Sequence, residues 1–161
     1  MPTPTHKSWY LTVDGGAATA KNANLNGSVT PVEMKLIPSE HGLSKIVATR
    51  MLVQIEDNAT LLAAEYGSLA TLTNGIRIQH VSGSVVTDLD GGLEVKTNSD
   101  WARLCYDVTD FSYGSGNNFV AVRWTFERAG APLIIESGDE LVVTINDDLT
   151  GLVGHYFLVQ G

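Results

Sequence analysis

The chain has one cysteine in 161 residues, Cys105. A lone cysteine closes no internal bridge, so no disulfide framework holds this protein together. Cys105 is expected to be a small buried hydrophobe. Its neighbours Arg103 and Asp107 do not make the basic, electropositive setting that a nucleophilic thiolate needs. Charged residues are sparse at 17%, below the usual quarter. No run of eighteen apolar residues occurs, which excludes a membrane-spanning helix. The polar start, Met1-Pro2-Thr3-Pro4-Thr5-His6-Lys7, leads into no apolar stretch, so no secretory leader is expected and synthesis in the cytosol follows.

Signatures of chemistry are also missing. No Gly-x-Ser-x-Gly elbow seats a hydrolase serine, and no glycine-rich loop opens a helix to cradle phosphate. The four histidines, His6, His41, His80 and His155, are scattered, with no i, i+4 pair and no neighbouring cysteine. A zinc site is not expected. No catalytic residue, cofactor or metal ligand is assigned.

What the chain does have is glycine, at 16 residues, with much threonine, valine and asparagine. These suit strands and tight turns better than long helices. The length fits one domain, which buries about 68–70% of its unfolded surface and needs no staple. The charge is uneven. Residues 1–80 hold six acids and six bases, whereas residues 81–161 hold twelve acids and four bases. The whole net charge of −8 lies in the second half. A surface of this sign repels phosphates, so nucleic acid is not an expected partner.

Residues 1–42 read as an N-terminal arm carrying one or two short strands. Trp9-Tyr10-Leu11-Thr12-Val13 is one candidate, broken by Asp14-Gly15-Gly16. Val29 to Leu36 is the other, with Pro31 confining it to an edge or a strand start. Ala17 to Gly27 has loop composition. Such an arm either drapes over its own domain or reaches a neighbour. Residues 43–161 read as an antiparallel β-sandwich. Lys45 to Glu56 is a strong strand, with Val47, Thr49, Met51, Val53 and Ile55 on one face. Ala48, Arg50, Gln54 and Glu56 lie on the other, joined by Ile46 and Leu52. Ala59 to Ala64 suits one or two helical turns capped by Asn58. Asn74-Gly75 is a strong turn signal.

From Ile76 onward, strands recur about every eight to twelve residues. They are Ile76–Gln79, Val85–Leu89, Leu93–Lys96, Asn118–Glu127, Leu133–Glu136, Glu140–Asn146 and His155–Val159. The stretch from Asn98 to Val108 reads equally as helix start or strand, and Tyr113 to Asn118 as loop. Long insertions and a helical turn or two favour a jelly-roll-like sandwich over an immunoglobulin domain. The fold class is all-β.

Three groups of residues invite a ligand. Asp88 with Asp90, Asp107 with Asp110, and Asp139 with Asp147 and Asp148 could hold calcium. None matches the Asp-x-Asp-x-Asp-Gly loop, and turn aspartates commonly bond their own backbone. Paired carboxylates could serve a glycosidase, but nothing sets their separation. Trp9, Tyr66, Trp101, Tyr106, Tyr113 and Tyr156 could stack on sugar, with Tyr113 in its Gly-Ser-Gly loop the best surface aromatic. Trp124 lies on an apolar strand face and suits the core.

Four stretches carry a family resemblance: Arg50-Met51-Leu52-Val53-Gln54-Ile55-Glu56-Asp57, Leu72-Thr73-Asn74-Gly75-Ile76, Asn98-Ser99-Asp100-Trp101-Ala102, and Asp147-Asp148-Leu149-Thr150-Gly151-Leu152. In style and segment order the chain from Leu43 onward resembles the capsid decoration or cement proteins of tailed bacteriophages. The resemblance implies a jelly-roll homotrimer on the capsid surface of a virion, made in the host cytoplasm. It further implies the major capsid protein as partner, with no enzyme activity, nucleic acid or membrane involved. The arm would then be an anchor, and Trp9, Tyr10, Leu11, Val13 and Tyr113 are the expected partner contacts. A lectin-like or receptor-binding module of a tail fibre is the alternative.

Overall fold

A computed structural model describes residues 7–16, 26–57, 72–89, 107–113, 117–125, 131–150 and 154–161. Eleven strands run through them: β1 (Ser8–Tyr10), β2 (Val32–Leu36), β3 (Lys45–Ala48), β4 (Arg50–Asp57), β5 (Ile76–Ser82), β6 (Val85–Asp88), β7 (Asp107–Tyr113), β8 (Asn117–Thr125), β9 (Leu133–Glu136), β10 (Asp139–Ile145) and β11 (Gly154–Gln160). One 3-10 turn spans Pro38–His41. The protein is all-β, as its composition indicates.

The strands form a five-stranded sheet in the order β1-β11-β4-β8-β7 and a four-stranded sheet in the order β2-β10-β5-β6. A short ribbon pairs β3 with β9. Every described ladder is antiparallel. The pairing is nested: β1 with β11, β2 with β10, β3 with β9, and β4 with β8. The N-terminal part of the chain thus runs back along the C-terminal part as one long ribbon, folded between the two sheets.

Period-two alternation sets the core. Met34 and Leu36 from β2, Ile76 and Ile78 from β5, and Leu141, Val143 and Ile145 from β10 are buried. They form one cluster with Met51, Val53, Phe157 and Val159 of the other sheet. Fully burying such a side chain contributes about 1.5–3 kcal/mol. Leu11, Leu72 and Leu149 fill the cluster from connecting segments.

The described parts of residues 1–42 pair with the rest of the chain. β1 is hydrogen-bonded along β11, with Ser8 opposite Gln160 and Tyr10 opposite Leu158. β2 is paired along β10 from Val32 to Leu36. Leu11, Met34 and Leu36 are fully buried. Two short strands occur where they were read, but they are members of the two sheets. The apolar residues at 11, 34 and 36 find burial only inside the sandwich. Pro31 stands just before β2, which is an edge strand, as a residue without an N–H requires.

Lys45 to Glu56 is two strands, not one. Thr49 separates them, its N–H and hydroxyl both directed at the Gln160 carbonyl at 2.9 and 3.1 Å. That residue reverses the alternation. Ile46 and Ala48 are buried in β3, Met51 and Val53 in β4, and Val47 is exposed. The chain changes partner there, from β9 to β11 and β8. A similar crossing occurs near the N-terminus. Leu11 N–H donates to the Phe157 carbonyl, and the next residue, Thr12, exchanges two backbone bonds with Lys35 of β2.

Asn74-Gly75 does not close a hairpin. β4 and β5 lie in different sheets, and only Gly75 takes a positive φ, of 84°. The two-residue hairpin is Gly83-Ser84 between β5 and β6, where Gly83 at φ 58° supplies the left-handed position of a type II′ turn. Further along, β7 extends the segment read as ambiguous to Tyr113, and β8 begins at Asn117. The readings of Ala59–Ala64, Leu93–Lys96, Asn98–Tyr106 with Trp101 and Cys105, and of Tyr66 and Asp90, lie outside the described residues.

Candidate functional site

A groove of about 510 Å³ opens at one end of the four-stranded sheet, lined by Gly27, Ser28, Val29, Pro31, Thr73, Asn74 and Asn146. Three chain segments meet to make it. Gly27 N–H donates to the Asp147 carbonyl at 2.9 Å, and Asn26 bridges to Asp148. A Cβ at Gly27 would collide with the Ile145 carbonyl, so glycine is what lets this segment approach the end of β10.

The far wall is held by Asp147, which is 7% exposed. Its carboxylate receives three consecutive backbone amides. Thr73 N–H reaches Oδ1 at 3.0 Å, Asn74 N–H reaches Oδ1 and Oδ2 at 3.1 and 3.0 Å, and Gly75 N–H reaches Oδ2 at 2.6 Å. Successive amides turned to one side make an anion-binding nest, and here the chain's own side chain occupies it. Two amide side chains reinforce the clamp reciprocally: Asn74 Nδ2 donates to the Asn146 carbonyl at 3.0 Å, and Asn146 Nδ2 to the Gly75 carbonyl at 3.1 Å. The turn residues before β5 are thereby tied to the turn after β10. The groove wall presents neutral amide and hydroxyl groups beside the exposed Val29.

Three of the other acids singled out in the sequence, Asp88, Asp139 and Asp148, use their oxygens internally. Asp88 accepts from Arg77 Nη2 at 2.6 Å and Gln79 Nε2 at 2.8 Å. The bond from Gln79, and then the Arg77 charge, lower its pKa. Asp148 accepts from the Thr150 hydroxyl and N–H at 2.6 and 3.0 Å, and these bonds lower its pKa. Asp139 is lowered first by a bond from the Ser82 side chain, then by the Glu136 N–H at 3.0 Å, then by His80. All three are turn or cross-strand structure, the reading set against calcium. Asp107 and Asp110 lie along β7. Among the described residues, no three of His, Cys, Asp and Glu gather as metal ligands.

Ser82, His80 and Asp139 are the residue types of a nucleophilic triad, but their order differs. His80 Nε2 lies 3.1 Å from Asp139 Oδ2, and Ser82 also bonds Asp139. Asp139 is the hub, so this arrangement orients the start of β10 and does not activate the serine through the imidazole. His155 sits inside the core, its ring centroid 4.5 Å from that of Phe157.

The expected partner contacts are dispersed. Leu11 is corrected: it is fully buried in the chain's own core, because its N–H is fixed to β11 and its side chain follows the sheet inward. Trp9 is half-buried and packs against the core, and Tyr10 is half-buried beside it on β1. Val13 is 51% exposed. Tyr113 ends β7 at the opposite edge of the same sheet. Sequence reading missed the Asp147 nest. Its one signal was the pairing of a turn dipeptide, Asn74-Gly75, with a distant loop carboxylate, and no local pattern relates two sites so far apart in the chain.

Among the described residues no helix is long and apolar enough to cross a membrane. No protein-family model matches the chain, and no curated protein matches it.

Proposed function

We propose that this chain is a non-enzymatic structural protein of a tailed-phage virion that decorates and stabilises the capsid as a homotrimer, on a jelly-roll sandwich. The observation that carries the reading is the strand order. Two four-stranded sets, β1-β11-β4-β8 and β2-β10-β5-β6, draw their strands alternately from the chain, an order that supports a jelly-roll winding of two interlocked Greek keys. β7 extends one sheet, and the β3–β9 ribbon is an addition between the keys. The resemblance of the segments from Arg50 to Leu152 to decoration proteins supplies the context.

The physical fit is to a role that needs contact area and durability. Lys7 and Gly161 exchange two backbone bonds of 2.8 and 3.1 Å, so both ends of the described sandwich are tied at one place. Many weak contacts multiplied by capsid symmetry give avidity without any tight single site. The exposed Val13 and the half-buried Trp9 and Tyr10 are the contact residues of this reading near the N-terminus. Purified protein added to capsids that lack it is expected to co-sediment with them and to be trimeric. A monomer that leaves such capsids unbound would sink the proposal.

The groove favours a second reading, a lectin-like or receptor-binding module. Asn74, Asn146, Ser28 and Thr73 beside the exposed Val29 offer neutral hydrogen-bonding groups and an apolar contact, which suits sugar hydroxyls and ring C–H groups. A glycan array is expected to return hits under this reading, and an empty array discards it.

A further inference from the structure

The outer edge of β6 combines two features that isolated sheets avoid. The strand is the last of the four-stranded sheet. Its register against β5 pairs Ser82 with Val85, Val81 with Val86, His80 with Thr87 and Gln79 with Asp88. Leu89 N–H donates to the Ile78 carbonyl at 2.9 Å. In an antiparallel ladder alternate residues turn their backbone groups inward. Val85, Thr87 and Leu89 therefore face β5, while the N–H and C=O of Val86 and Asp88 face outward. Among the described residues nothing pairs with them.

Val85 and Val86 point to opposite faces of the sheet, yet they are 63% and 54% exposed. Neither face of β6 is covered. The strand has no proline, lysine or bulge, and of the devices that blunt a free edge it has only its shortness and Asp88, whose charge is paired with Arg77. An open, β-branched, uncovered edge is a template for another strand.

We propose that β6 is a self-association edge, pairing antiparallel with β6 of a second copy of this chain. The fit is self-complementary. A two-fold axis at Thr87 sets Val86 of each copy opposite Asp88 of the other and joins all the outward groups of both strands in four backbone hydrogen bonds. Charge does not oppose it. Asp88 falls opposite a valine, and its carboxylate is balanced by Arg77 of its own sheet at 2.6 Å. The edge is short, and it buries far less than the ~1,000 Å² of a stable interface. The pairing is accordingly weak and concentration-dependent. It is a two-fold contact, independent of the trimer proposed above.

The test is sedimentation velocity of the full chain at rising concentration, with two variants. Wild type is expected to shift from monomer to dimer, or from its basal oligomer to linked pairs of it. Val86→Pro removes an outward donor and leaves the β5 ladder intact. It is expected to keep the circular dichroism of the wild type and weaken the pairing at least about tenfold. Thr87→Cys, in a Cys105→Ser background, places two thiols on the axis, where facing Cα atoms lie about 4.5 Å apart, within disulfide reach. Mild oxidation is expected to give a covalent dimer. Absence of concentration-dependent association together with no cross-link overturns the proposal. So does association that Val86→Pro leaves unchanged with no Thr87→Cys link, and that result would leave a trimer formed through another surface intact.

Discussion

Replacing Asp147 by alanine is expected to destabilise the protein by about 2–4 kcal/mol. Hydrogen bonds to a charged group contribute roughly 1.5–3 kcal/mol each, and they do not add fully. Four contacts to three amides are lost. Thr73 and Asn74 are exposed and Gly75 is buried, so water can replace part of the set, but the Gly75 N–H is left without a partner. Asp147→Asn keeps one acceptor oxygen and is expected to cost about half as much. Chemical denaturation of both variants measures this. The groove should open with the clamp, because the turn before β5 and the turn after β10 share these bonds. An alanine variant as stable as wild type would mean that the nest contributes nothing to the fold.

The second large effect is acid lability centred on His155. The imidazole is fully buried, and burial lowers its pKa from 6.5 to about 3. Above pH 6.5 it is neutral in both the folded and unfolded chain and contributes no pH dependence. As pH falls from there toward 3, the unfolded chain takes up a proton that the folded core refuses. Stability therefore drops by about 1.4 kcal/mol per pH unit over the steep part of that window. Asp139 acts lower. Its depressed pKa gives a stabilisation present above about 3.8 and lost as pH falls through its folded value. His155→Gln removes the imidazole titration. Its packing against Phe157 is also disturbed, so the comparison is of slopes rather than of absolute stability. Urea unfolding between about pH 8 and pH 4 is expected to show a steep loss for wild type and a flat profile for the variant. Equal slopes would place the acid sensitivity elsewhere.

Alternation made much of the sheet legible. Ile76 and Ile78 on β5, Leu133 to Glu136 on β9, and the hairpin break at Ser82-Gly83-Ser84 all follow from period-two patterning and turn chemistry that act over a few residues. The failures share a cause. The alternation from Lys45 to Glu56 runs without a visible break and so places Val47 on one face with Met51 and Val53, although Val47 is exposed and the other two are buried. A carbonyl from residue 160 interrupts it at Thr49. Leu11 was assigned to a contact surface because its neighbours read as a loose arm, yet β11, nearly 150 residues later, takes it into the core. Asp147 was one acid among several, and only its juxtaposition with residues 73–75 makes it a clamp.

Composition and periodicity alone determined that this chain is all-β, needs no bridge, and concentrates its negative charge in the second half. Those properties come from residue type and from spacings of two, which sequence displays directly. Tertiary structure decided that the first strands belong to the two sheets, that one long strand is two, and that a carboxylate clamps the turn beside the groove. It also left β6 with an open edge. Each of these depends on which segments meet across the sandwich, and that pairing is set by burial of the whole core at once rather than by any local run of residues.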